Sequence, residues 1–198
     1  MSFKQKAYTG IILSGGLNSR MGGNSKGLLP LGDKNFLESI VETLRPLVSE
    51  LIVVTREPQL YNHLDCSIVE DIFSVRSSLT GIHAGLYHSS NKYSFLVACD
   101  TPLLNRDLVQ LLLQESESGQ DIVVPKNGHN YEPLCAVYSK VCIPHIESLL
   151  QQNLLKISKL FDLVTIKEIN EERLQELDPN LDSFFNVNTP QDMLRLTN

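Results

Sequence analysis

The chain has 198 residues, of which 42% are hydrophobic and 20% charged, and its formal net charge is −6. This length predicts a single domain over 1–198, and this balance excludes a disordered chain. No lysine- or arginine-rich patch or basic–aromatic stripe points to nucleic acid, and no apolar run approaches the ~20 residues of a membrane span, so neither is expected as a partner.

In chain order, Gly10-Ile11-Ile12-Leu13 reads as a buried strand ending at Ser14. The loop that follows sets Gly15, Gly16, Gly22 and Gly23 around Arg20 and Lys26. Glycines let successive backbone N–H groups converge on an anion, and two cations on the same loop neutralise what the amides leave. A nucleotide triphosphate suits that arrangement. It is not a Walker loop, because Lys26 is followed by Gly27, and not a G-x-G-x-x-G fingerprint, because Gly15 and Gly16 are adjacent. A solvated glycine turn would account for one Gly-Gly pair but not for this spacing.

Helical spacing of Phe36, Leu37, Ile40, Val41, Leu44 and Leu47 predicts a helix from Asn35 to Ser49. Leu51–Val54 reads as a fully buried parallel strand and Ser67–Glu70 as another, ending at Asp71. Helix follows over Thr80–Ser89, a central strand over Tyr93–Ala98, helix over Asn105–Glu115 and strand over Asp121–Val124. The last third predicts strand at Pro133–Tyr138, helix at Lys140–Gln152 and strand at Leu163–Ile169. A final helix has Thr189 as its N-cap and Pro190 in its first turn. This alternation predicts a doubly wound α/β sheet, with ligands beyond the carboxyl ends of the strands. Ser14, Asp71 and Asp100 all fall at that edge.

Asp100, after Phe95-Leu96-Val97-Ala98-Cys99, is placed to bind Mg²⁺, which takes oxygen ligands and bridges to phosphate; it is equally a turn residue before Pro102. Asp71 reads on its own as a solvated acidic loop residue or as a partner for Arg76. Asn186 and Asn188 lie two apart on an extended segment and share a face, toward an acceptor substrate or in turn and cap hydrogen bonds. Cysteines at 66, 99, 135 and 142 lack metal or redox spacing and read as small buried hydrophobes in a reducing compartment. The histidines, at 63, 83, 88, 129 and 145, form no metal cluster in sequence and default to packing or surface roles. The polar start Met1-Ser2-Phe3-Lys4-Gln5-Lys6 does not read as a secretory signal, and a cytoplasmic location is expected.

The stretch L-S-G-G-L-N-S-R-M-G-G-N-S-K-G-L-L-P-L resembles the signature of nucleotidyltransferases with a Rossmann-like GT-A fold, and most of all the molybdenum cofactor guanylyltransferases. Cys99-Asp100-Thr101-Pro102 resembles their C-D-x-P motif, whose aspartate binds the metal. The acid of their guanine-nucleotide site matches Asp71 in V-E-D, and their N-V-N-T-P ending matches Asn186–Pro190. Leu79-Thr80-Gly81-Ile82 with Gly85-Leu86 resembles a P-L-x-G-I…G-L segment, with Ser78 where proline is common. Tyr131–Tyr138 resembles an acceptor-facing x-P-L-x-A-x-Y stretch.

The resemblance implies a single-domain, mostly parallel sheet with helices on both faces. It implies Mg²⁺-dependent transfer of GMP from GTP to the phosphate of molybdopterin, releasing pyrophosphate. Leu13, Ser14, Gly15, Lys26, Asp71 and Asp100 would bind the nucleotide, Asp100 the metal, and Asn186 and Asn188 the acceptor. Arg20, Lys26 and Asp100 would be catalytic. GTP and molybdopterin are the implied partners, together with proteins that deliver or receive the cofactor. The rival readings are the same transfer from CTP or to a sugar phosphate, and a nucleotide-binding module without turnover. Arg20, Lys26 and Asp100 together argue against the last, since binding alone needs fewer charges.

Overall fold

In a computed structural model that describes residues 7–15 and 26–196, strand β1 (Tyr8–Ser14) sends Ile11 to one face of a sheet and Ile12 to the other. This alternation, repeated along the neighbouring strands, makes two hydrophobic layers. Strands β4 (Glu50–Thr55) and β6 (Tyr93–Ala98) flank β1 as parallel neighbours. Helices α1 (Phe36–Leu44) and α3 (Arg106–Glu115) cover one face, burying Leu37, Ile40, Leu108 and Leu112 with Ile12, Val53 and Val97. Helices α2 (Ser78–His88) and α4 (Cys142–Gln151) cover the other, burying Ile82, Leu86, Ile146 and Leu150 with Ile11, Ile52 and Leu96.

The main sheet also holds β5 (Ser67–Val69), β7 (Ile122–Asn127), β9 (Cys135–Ser139) and β10 (Ile166–Ile169). Its order is β10-β7-β9-β6-β1-β4-β5, with the short strand β8 (Asn130–Tyr131) paired to β7, while β2 (Pro30–Leu31) and β3 (Lys34–Asn35) form a separate antiparallel pair. The expected mostly parallel, doubly wound architecture is therefore present. The exceptions are β9, antiparallel to both β6 and β7, and the short strand β8, antiparallel to β7. A parallel strand needs a crossover of a dozen or more residues, and the chain between Asn127 and Cys135 is too short for one. It turns instead at Gly128, whose φ is +58°.

Local chemistry fixes the helix starts. Asn35 and Glu38 form a capping box on α1, and Ser77 caps α2 through Thr80 N, two residues ahead of the expected start. Thr189 caps the last helix (Pro190–Arg195) as its sequence predicts. The predicted helix over Asn35–Ser49 ends at Leu44, after which Leu47 and Val48 pack into the core from a turn. Two glycines of α2 set how closely it lies on the sheet. A Cβ at Gly85 would come within 2.5 Å of Ile11 Cγ2, and one at Gly81 within 3.2 Å of Leu13 Cδ2. His83, buried on α2, bonds Glu147 of α4 at 3.0 Å, which is the expected packing role. All four cysteines are free thiols. No helix among the described residues is long and apolar enough to cross a membrane.

Candidate active site

From β1 the chain moves to β4 and β5 on one side, then returns to place β6 on the other side of β1. The carboxyl ends of β1 and β6 therefore flank the point where strand order reverses, the place where open α/β sheets bind ligands. Three side chains from distant parts of the sequence converge there. Lys26 opens the turn Lys26–Leu28, Asp100 lies just beyond β6, and Asn188 lies in the segment before the last helix.

Lys26 Nζ donates to Asp100 Oδ2 at 3.0 Å and to Asn188 Oδ1 at 2.5 Å. The lysine and aspartate side chains are 18% and 20% exposed, so the pair is reachable but withdrawn from bulk water. Gly27 makes this placement possible, because a Cβ there would lie 3.3 Å from both Ser14 Oγ and Leu37 Cδ1. Asp100 is fixed through its backbone, since Val187 N donates to its carbonyl at 2.8 Å. The segment carrying Val187 and Asn188 is tied in turn by Ser183 Oγ, which accepts from Asn105 N, and by Asp178, which accepts from the backbone of Asp182 and Ser183.

The two C-terminal asparagines take different positions. Asn188 joins the Lys26–Asp100 pair, whereas Asn186 Nδ2 donates to Phe184 O at 3.2 Å, a local turn bond. Ser14 Oγ shares a 2.7 Å hydrogen bond with Tyr61 Oη at the end of β1. Cys99, beside Asp100, has its thiol pushed up to about 11 by burial, so it stays protonated at neutral pH and acts as packing. Arg20 lies outside the described residues, as do Gly16, Gly22 and Gly23.

On the other side of β1, Leu13, Gly15, Thr55, Arg56, Asp71 and Arg76 line a cleft floored by Gly81. Among the described residues nothing lies within 4 Å of where a Cβ on Gly15 would be, so the backbone there faces open space. Asp71 stands in this cleft, but its partner is not Arg76. Arg56 Nε donates to Asp71 Oδ2 at 2.8 Å, and Arg76 lines the cleft separately. Sequence reading missed Arg56. The signal was its position one residue past an apolar strand, level with the acid that ends the next one.

The family that the sequence resembles commonly uses a divalent metal. Asp100 Oδ1 is buried and has no hydrogen-bond partner among the described residues. A buried carboxylate oxygen without a proton donor fits a hard cation. No group of three or more His, Cys, Asp or Glu gathers for a metal among the described residues.

The MobA-like NTP transferase domain model matches residues 10–166. A molybdenum cofactor guanylyltransferase of Desulfosudis oleivorans is 36% identical over 187 residues, covering 94% of this chain and 93% of that protein. One from Vibrio parahaemolyticus is 32% identical, covering 92% and 91%. The crystal structure of molybdopterin-guanine dinucleotide biosynthesis protein A from Archaeoglobus fulgidus superposes with a TM-score of 0.84 at 27% identity, covering 95% and 96% of the two chains. A 2-C-methyl-D-erythritol 4-phosphate cytidylyltransferase from Thermus thermophilus, at 13% identity, a TM-score of 0.70 and 94% and 95% coverage, shares the fold. The chain belongs to the MobA-like NTP transferase family.

Proposed function

We propose that the protein transfers GMP from GTP to the terminal phosphate of molybdopterin, forming the guanine dinucleotide cofactor and pyrophosphate. The observation that carries the site assignment is the Lys26–Asp100–Asn188 cluster at the strand-order reversal. A phosphate oxygen of the acceptor forms a bond to the α-phosphorus of GTP while the bond from that phosphorus to the β-phosphate bridging oxygen breaks. Pyrophosphate leaves with the electron pair. No protein nucleophile is needed, and the catalytic demand is positioning and charge stabilisation.

Backbone amides of Leu13, Ser14 and Gly15 face the nucleotide. Lys26 turns from Asp100 toward the phosphates and stabilises the charge developing on pyrophosphate, with Arg20 as a second cation from the same loop. Asp100 would hold Mg²⁺ through its unpartnered oxygen, and the ion would supply charge neutralisation and orientation at the α-phosphate. Asp71 serves the base, and Asn188, next to Lys26, serves the acceptor. Asn186 supports that acceptor segment through its turn bond.

The test is pyrophosphate release from GTP or CTP with molybdopterin and Mg²⁺, with Asp100→Ala as control. The expected outcome is GTP-selective release that is lost in the control. Release that prefers CTP would assign a cytidylyltransferase, and tight GTP binding with no release would assign a binding module.

A further inference from the structure

We infer that Arg56 is a positioning residue for choosing the nucleotide base: it fixes the Asp71 carboxylate as half of a donor–acceptor pair that fits the Watson–Crick edge of guanine. The inference rests on the guanylyltransferase reading and adds to it a determinant of base selection.

Strand register makes the pair. Strands β4 and β5 run parallel with Val53 opposite Ile68 and Val54 opposite Val69. Continued two residues beyond the ladder, that register sets Arg56 directly across from Asp71. Their side chains meet there, Arg56 Nε donating to Asp71 Oδ2 at 2.8 Å. The bond leaves the terminal guanidinium nitrogens and Asp71 Oδ1 outside it. A rigid unit results, with an N–H donor beside a carboxylate acceptor.

A surface ion pair closing the ends of two strands would explain the bond without any ligand. Exposure argues for more. The two side chains are 32% and 17% exposed, whereas Arg45 and Asp65, a pair on the outer surface, are 48% and 94% exposed. Arg56 and Asp71 also line the cleft that opens beside Leu13 and Gly15 at the end of β1. The end of β1 thus lies in the same cleft as the pair, while β6, on the other side of β1, leads to Asp100 and Lys26.

Hydrogen-bond complementarity selects the base. Guanine presents the O6 acceptor next to two donors, N1–H and the 2-amino group. The arginine side of the pair meets O6, and the carboxylate meets both donors. Cytosine turns an N3 lone pair toward the carboxylate, a repulsive contact, and uracil lacks the second donor. An Asp71 freed from Arg56 would keep its charge but lose its fixed direction, and a planar guanidinium fixes a carboxylate better than a point charge does.

The experiment measures binding of GTP, ITP and CTP, each with Mg²⁺, to the full chain by calorimetry, in the wild type, Arg56→Gln and Arg56→Lys, with circular dichroism to verify folding. Inosine lacks the 2-amino group, so it reports that contact alone. In Arg56→Gln, GTP affinity should fall roughly 10- to 100-fold, as for loss of a charge-assisted hydrogen bond, while CTP changes by less than about threefold. Preference for GTP over ITP should shrink with it, and Arg56→Lys should lie between. In turnover, KM for GTP should rise with kcat held within about threefold. Unchanged GTP affinity in both variants overturns the inference. So does an equal fall for all three nucleotides, which would place Arg56 on the triphosphate. Failure of the guanylyltransferase reading shows separately, as a wild type that binds CTP more tightly than GTP.

Discussion

Lys26 is held by Asp100 and Asn188, at the point in the sheet where the phosphates are proposed to lie. Removing it should leave the fold intact, because the pair sits at the sheet edge outside both hydrophobic layers. Lys26→Ala is expected to lower kcat by ~10²–10³-fold, as does loss of one preorganised electrostatic donor. A thermal midpoint unchanged alongside that loss would separate catalysis from stability. The sequence singled out Lys26, Asp100 and Asn188 separately, because each sits in a short motif. That they touch was not legible: the contacts span 74 and 162 positions and depend on how the sheet is ordered. Arg56 belongs to no motif, and its function appears only once two strands are placed side by side.

Helix α2 shows how one element can look ordinary in sequence and be tightly constrained in space. Its two glycines, Gly81 and Gly85, face β1. Gly85→Ala drives a methyl into Ile11, a fully buried residue. Overpacking of that kind costs about 1–3 kcal/mol, and because Leu13 on the same strand lines the cleft, nucleotide affinity should weaken too. Denaturant unfolding checks the first expectation and nucleotide titration the second. A stability gain, as for a helical Gly→Ala with open space, would show that the sheet shifts to accept the methyl. The buried strands β1, β4 and β6 were legible as apolar runs, since burial on both faces leaves no alternation to misread. The direction of β9 was not, because an apolar run carries no sign of which way its strand points.

The whole molecule carries its chemistry on one edge of the sheet and a polar network on the other. At the amino-terminal edge, Glu50 accepts from Thr9 Oγ1 and from the backbone and hydroxyl of Ser90. Burial pushes its carboxyl up, but those hydrogen bonds outweigh burial and hold it below the usual carboxylate range. A carboxyl lowered by folding contributes stability that is present above its unfolded pKa and lost as pH falls through its folded one. Thermal midpoints should therefore drop on acidification below the ordinary carboxylate range. Glu50→Gln should show a shallower acid limb than the wild type, measured from neutral pH downward. An identical slope would assign the acid sensitivity to other carboxylates.

The ties from Asp178 and Ser183 through Val187 to Asp100 make the site a product of the last stretch of the chain as much as of the first. The central strands β1, β4 and β6 can pair before that stretch arrives, but Lys26 meets Asn188 only after it has. Turnover is thus a late event in the chain's assembly. A protease nick between α4 and Asp178 that released the C-terminal fragment would take Asn188 and the tie to Asp100 with it, and the chemistry would fall silent.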